Sequence, residues 1–166
     1  MIKILFNFIT YIFLLFVIPF NKPIEIQNND NYFFIINIPK IDLYKEVYKY
    51  NNHNNNVNKG IYLVKDYDFN TLNGSLILAS HSGNSDISYF KNLNLLKKND
   101  IVKIFINDRI VYYAVTDKYK INKTGKFKYH DKNAYLYLIT CDKNNNNKQI
   151  VVVGKIVKIM KKSTFF

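Results

Sequence analysis

Cys141 is the only cysteine in the 166 residues. Its thiol has no intramolecular disulfide partner, and no multi-thiolate zinc site can form around it. Two readings of such a residue stand side by side. A free thiol is often a small buried hydrophobe. Cys141, however, closes the run Tyr-Leu-Tyr-Leu-Ile-Thr and is followed by Asp142 and a polar stretch, and strand ends that open into loops are where reactive groups are displayed. A thiol attacks as its thiolate and needs an imidazole within reach to manage the protons. His53 lies among asparagines, and His130 lies between Tyr129 and Asp131; both read as solvated loop residues. His81 follows the apolar run Leu76-Ile77-Leu78-Ala79-Ser80 and precedes Ser82-Gly83-Asn84, so its setting mirrors that of Cys141. By spacing alone, a Cys and a His about 60 residues apart are a weak signal.

The elements that must position these two residues are short β-type runs separated by turn residues. Tyr32 to Ile38 ends at Pro39, and Leu43 to Tyr48 ends at the Asn-rich stretch Asn51 to Asn58. Leu76 to Ser80 and Ile101 to Ile106 are compact apolar runs, and Asn107-Asp108 joins the latter to Ile110–Tyr119 as a hairpin. Tyr135 to Thr140 and Ile150 to Ile159 complete the set, with Asn144–Asn147 as a hairpin loop. Only Ser85 to Leu96 reads as helical, with Ser85 or Asp86 as cap and Ile87, Phe90 and Leu93 spaced three apart. This many strands over about 135 residues imply an all-β barrel or sandwich.

The amino terminus stands apart. Residues 4–20, ILFNFITYIFLLFVIPF, carry no charge and are flanked by Lys3 and Lys22. At ~1.5 Å per residue the run reaches roughly 26 Å, near the lower limit for a bilayer-crossing helix. A secretory signal also begins with a positive turn and an apolar core, but VIPFNK offers no small residues for cleavage. An uncleaved signal-anchor over residues 1–22 is the reading adopted; a cleaved signal peptide and a buried core helix are the alternatives. Residues 23–31 then form a tether, and residues 32–166 form the folded domain, which places a single-pass protein at the cell membrane.

Composition narrows the partners. The formal net charge is +12, from 24 Lys+Arg against 12 Asp+Glu. Arg109 is the sole arginine, whereas readers of nucleic acid lean on the arginine fork, so nucleic acid is not expected as a partner. A lysine coat suits nonspecific attraction to an anionic surface, or is simply a solvated face. The excess of Asn, Lys, Ile and Tyr reads as the usage of an AT-rich genome.

Several strings together resemble the sortases, the cysteine transpeptidases of Gram-positive cell envelopes. SLILASHSGNSDISYFKNLNLLKKNDIV resembles their histidine region, and AYLYLITCD resembles their TLxTC nucleophile strand, with Thr140 and Cys141 in the matching places. IPKIDLYKEVY and NVNKGIYLV resemble the first strands and the short helical segment after them, and KQIVVVGKIV the last strand. The likeness runs in the family's order over roughly Ile35 to Lys158. It implies a closed eight-stranded sortase-type β-barrel with one or two short helices, and ping-pong transpeptidation. Cys141 would attack the Thr–Gly carbonyl of an LPxTG-like sorting signal to give a thioacyl enzyme. His81 would protonate the departing amine and help to deprotonate the incoming one, and Thr140 would help to position the substrate backbone. The implied partners are surface proteins bearing a sorting signal and an amine acceptor, from a peptidoglycan precursor or from a pilin lysine, with the catalytic domain extracellular. No metal or organic cofactor enters the chemistry, although some members bind calcium, which nothing in this sequence supports.

One departure from the family matters. Sortases carry an arginine on the strand after the nucleophile loop. Alignment on VVVGKIV puts Gln149 at that position, and a one-residue shift puts Lys148 there. A catalytically weakened, sortase-like peptide-binding module is therefore the alternative. No aromatic-acidic lid motif is visible, and Tyr119–Tyr135 is too short for the long inserted helix of the class B type, which leaves a compact class A-like or class D-like enzyme.

Overall fold

The computed structural model describes residues 32–162; the anchor and tether expected over residues 1–31 lie outside the described residues. Eight strands follow in order: β1 (Phe34–Ile38), β2 (Leu43–Val47), β3 (Tyr62–Lys65), β4 (Ser75–Ala79), β5 (Ile101–Ile106), β6 (Arg109–Asn122), β7 (Tyr135–Asp142) and β8 (Asn145–Lys161). They form one sheet in the order β2-β1-β5-β6-β8-β7-β4-β3. A parallel bridge between Val47 and Ile61 joins the two edges, so the sheet is a nearly closed barrel. All neighbours are antiparallel except β4 and β7.

Burial follows from this arrangement. β5 alternates half-buried and buried residues at a period of two, Val102, Ile104 and Ile106 pointing inward, as a strand with one covered face must. β4 and β7 have no such alternation, because both of their faces are covered. Leu76, Leu78, Leu136 and Leu138 fill the barrel, while Ile77, Tyr137 and Ile139 pack outside against Val151 and Val153 of β8. Each fully buried aliphatic side chain contributes about 1.5–3 kcal/mol. Gly74 sets the entry into β4: its φ is +107°, and a Cβ there would lie 2.8 Å from that of Tyr67.

Three expectations are revised. Ser85–Leu96 is not an α-helix but a chain of tight turns with one 3₁₀ segment, Leu93–Leu95. Several of its bonds run from an N–H to the carbonyl three residues back, Ser88 to Ser85, Lys91 to Ser88, Leu93 to Phe90 and Leu96 to Leu93, while the Phe90 N–H reaches back to the His81 carbonyl. Phe90, Leu93 and Leu96, each buried, recur every three residues, the 3₁₀ period. Ser85, Ser88, Asn92 and Asn94 compete for backbone bonds and disfavour a regular helix. Asn145–Asn147 belongs to β8, so the β7–β8 turn is only Lys143-Asn144. β3, which residue pattern alone did not single out, pairs with β4. The Asn107-Asp108 hairpin is present, with Ile106 opposite Arg109, and no helix occupies the segment between β6 and β7.

Candidate active site

The β4–β7 register is what brings His81 to Cys141. Ser75 lies beside Tyr135, and the same offset continues to Ala79 beside Ile139. The ladder runs one step further, with the Ser80 N–H donating to the Ile139 carbonyl at 3.2 Å. Thr140 Oγ1 donates to the Ser80 carbonyl at 2.7 Å. Carried one residue on, this parallel register sets His81 level with Cys141 on the neighbouring chain segment. Side chains alternate between faces: Leu76, Leu78 and Ser80 point inward, whereas Ile77 and Ala79 point outward, and the same alternation carried past β4 assigns His81 to the outer side.

The β7–β8 ladder supplies the other neighbour. Cys141 lies directly opposite Gln149, and residues opposite one another share a face. Lys148, paired with Asn122 of β6, takes the opposite face. Three adjacent segments, spaced about 4.8 Å apart, thus carry an outward row of imidazole, thiol and carboxamide. All three residues are half-buried, so the row is open to a ligand. Of the two candidates for the arginine position, Gln149 is the one that the ladder sets opposite Cys141.

Thr140 does not share that face. It is 3% exposed, and its hydroxyl holds the Ser80 backbone, one residue before His81. The sequence reading also missed two partners. His81 Nε2 lies 3.1 Å from the Asn58 side-chain oxygen, so the ring is oriented from the segment leading into β3. Asn58 is hard to see in the sequence because it sits within the Asn-rich tract. Asp142 is buried; its Oδ2 lies 2.6 Å from Lys120 Nζ, and its Oδ1 accepts the Asn144 N–H at 3.1 Å. The Lys120 ammonium, followed by the Asn144 N–H, holds the Asp142 carboxyl below the usual carboxylate value. This pair anchors the turn immediately beyond the thiol.

His53 is exposed. His130 is placed at the other end of β7, where its carbonyl accepts the Ser75 hydroxyl and its N–H donates to the Tyr137 hydroxyl at 2.9 Å. There the β6–β7 segment lies along the outer face: the Phe127 and Tyr137 rings meet edge to face with centroids 5.7 Å apart, and Lys65 reaches Asp131 at 2.6 Å. The polar row therefore continues into an aromatic wall. Among the described residues, no cluster of three or more His, Cys, Asp or Glu side chains could hold a metal ion.

Chemically, such a row can attack an acyl carbon with sulfur, move protons through an imidazole, and donate N–H groups to a developing oxyanion. Comparison with known proteins agrees with this geometry. A family model described as the Sortase domain matches residues 36–157. The chain is similar to sortase A of Listeria monocytogenes, at 27% identity and TM-score 0.68 over 81% of this chain and 93% of that one. It is similar in fold to sortase C-3 of Streptococcus pneumoniae, at 23% identity and TM-score 0.67 over 80% of this chain and 65% of that one. The same holds for sortase E1 of Streptomyces coelicolor, solved with a tripeptide in its active site, at 20% identity and TM-score 0.64 over 82% and 94%. A search of curated proteins found no match.

Proposed function

The chain belongs to the sortase family, and on that premise we propose that it is a cysteine transpeptidase acting on an LPxTG-like sorting signal. What supports this reading is the β4–β7 register, which carried past Ala79 sets His81 level with Cys141, together with Gln149 opposite the thiol. The donor peptide lies along the outer face of β4, β7 and β8, its Thr–Gly carbonyl at Sγ. Attack by the thiolate forms a C–S bond, and the departing glycine amine takes its proton from the His81 imidazolium. An incoming amine then attacks the thioester; its proton passes to His81, and the electron pair of the broken C–S bond returns to sulfur. Asn58 keeps the ring turned toward the thiol. Thr140 acts by pinning Ser80, and hence His81, as a positioning residue.

Gln149 donates its amide N–H toward the oxyanion in place of the family's arginine. A carboxamide carries no formal charge and lacks the guanidinium fork, so acylation is expected to be slower than in an arginine-bearing enzyme. That same replacement favours the second reading, a weakened peptide-binding module. We assign residues 1–22 to a membrane anchor with the domain outside the cell, sorting-signal proteins as donors, and an envelope amine as acceptor. The enzyme is of the compact class A-like or class D-like type, and its chemistry requires no cofactor.

The test is turnover of a fluorogenic sorting peptide. The wild-type chain should cleave it, Cys141→Ala should not, and His81→Ala should be slower by about 10²–10⁴-fold, the usual contribution of general acid–base catalysis. Tight peptide binding without any cleavage would establish the binding-module reading instead.

A further inference from the structure

A cavity of about 360 Å³ opens beside Cys141, which lines it together with Thr140 and Ile150. The β7–β8 turn forms one wall, Lys118 and Lys120 at the end of β6 a second, and Phe90, Lys91 and Asn94 the roof. Its charge is one-sided. Lys91, Lys118, Lys120 and Lys143 line it, with Asp142 as the only acidic residue, and Asp142 is committed to Lys120. Lys118 donates to the Asn94 and Leu96 carbonyls at 2.6 and 2.8 Å, which fixes its ammonium while leaving one of its three N–H groups free. Lys143 reaches only the neutral side chain of Asn84, at 3.4 Å. With Lys120 offset by Asp142, the cavity presents three further ammonium groups, those of Lys91, Lys118 and Lys143, with no other carboxylate in a lining that also includes Cys141.

We propose that this cavity receives the acceptor substrate and selects primary amines that carry an anionic group, carboxylate or phosphate. The inference rests on the transpeptidase reading, because a cavity for a second substrate has meaning only if Cys141 is acylated from the outer face. At neutral pH a simple alkylamine is a cation, which the lysines repel. An amine bearing an anion is drawn in by that anion and brings its nitrogen toward the thioester. There the nitrogen forms the C–N bond as the C–S bond breaks, and its proton leaves to His81. One charge pair at about 4 Å near the surface corresponds to about tenfold or more in affinity.

The experiment measures the ratio of transfer to hydrolysis of one sorting peptide. Both products come from the same thioacyl enzyme, so differences in folding or acylation cancel in the ratio. The acceptors are 6-aminohexanoate, its amide 6-aminohexanamide, and phosphoethanolamine. The acid should outcompete the amide by about tenfold, and 1 M NaCl should abolish the difference. Lys143→Glu and Lys91→Glu should each erase or reverse the preference. Phosphoethanolamine outcompeting 6-aminohexanoate would identify phosphate as the anion recognised, and the reverse order would identify carboxylate. Equal ratios for acid and amide, or a preference unchanged in both charge-reversed variants, would overturn the inference while leaving the transpeptidase reading intact. The absence of both hydrolysis and transfer products would overturn that reading, and the inference with it.

Discussion

The inner and outer faces of β4, β7 and β8 are made by the same three strands, yet they do different work. Inward, Leu76, Leu78, Leu136, Leu138, Ile150 and Val152 fill the barrel. Outward, Ile77, Tyr137, Ile139, Val151 and Val153 form a second cluster, packed with Tyr119 and Ile121 of β6 and Phe127 of the β6–β7 segment, and the face ends in His81, Cys141 and Gln149. The inner face sets register, because a one-residue slip would carry every leucine out of the barrel. The outer face turns that register into chemistry, since the same slip would remove His81 and Gln149 from the thiol. Stability and reactivity are thus held on opposite sides of one backbone, and substitutions on the two sides should separate cleanly.

The largest expected effect on folding comes from the inner face. Leu138→Ala leaves a cavity where a fully buried side chain stood and should cost about 2–5 kcal/mol in denaturant unfolding. A cost below about 1 kcal/mol would mean that the interior is not packed as described. Next comes the outer face. Gln149→Ala should lower the acylation rate by about 10²–10³ if its amide serves the oxyanion, with the unfolding midpoint little changed. Lys148→Ala, on the opposite face, should be mild; the reverse pattern in single-turnover kinetics would show that the functional register is shifted by one.

The smallest effect lies at the boundary between the faces. Asp142 has a carboxyl held below its ordinary value of 3.8 by Lys120, so its contribution to stability is complete above that value. It is lost as pH falls through the lower, folded-state value. Lys120→Met should therefore weaken the fold at neutral pH and flatten the acid limb of the stability profile. Parallel wild-type and variant acid limbs would remove the pair from the account.

Much of this was legible in the sequence, for physical reasons that differ by region. β5 declares itself by alternation, and β4 and β7 by unbroken apolar runs. Cys141 and His81 were visible because each is a polar, reactive residue at the exit of such a run. Their adjacency was not, because it depends on a parallel pairing that residue pattern does not encode. The turn-rich segment after His81 was misread because a spacing of three suits both an α-helical face and a 3₁₀ run. The irregularity in the β7–β8 ladder between Cys141 and Asp142, hidden in a stretch of asparagines, is what sets Gln149 opposite the thiol. Asn58 was masked by its neighbours, and the Lys120–Asp142 pair joins residues of different strands with no local signal.

The central claim is that the outer row makes Cys141 an acyl carrier. Its most direct test is the intact mass of the protein after brief incubation with a sorting peptide and acid quench. The account predicts an added mass equal to the donor fragment ending at threonine less one water, located on Cys141 after digestion and lost on treatment with hydroxylamine. Cleavage of the peptide without that adduct, or an adduct on another residue, would contradict it.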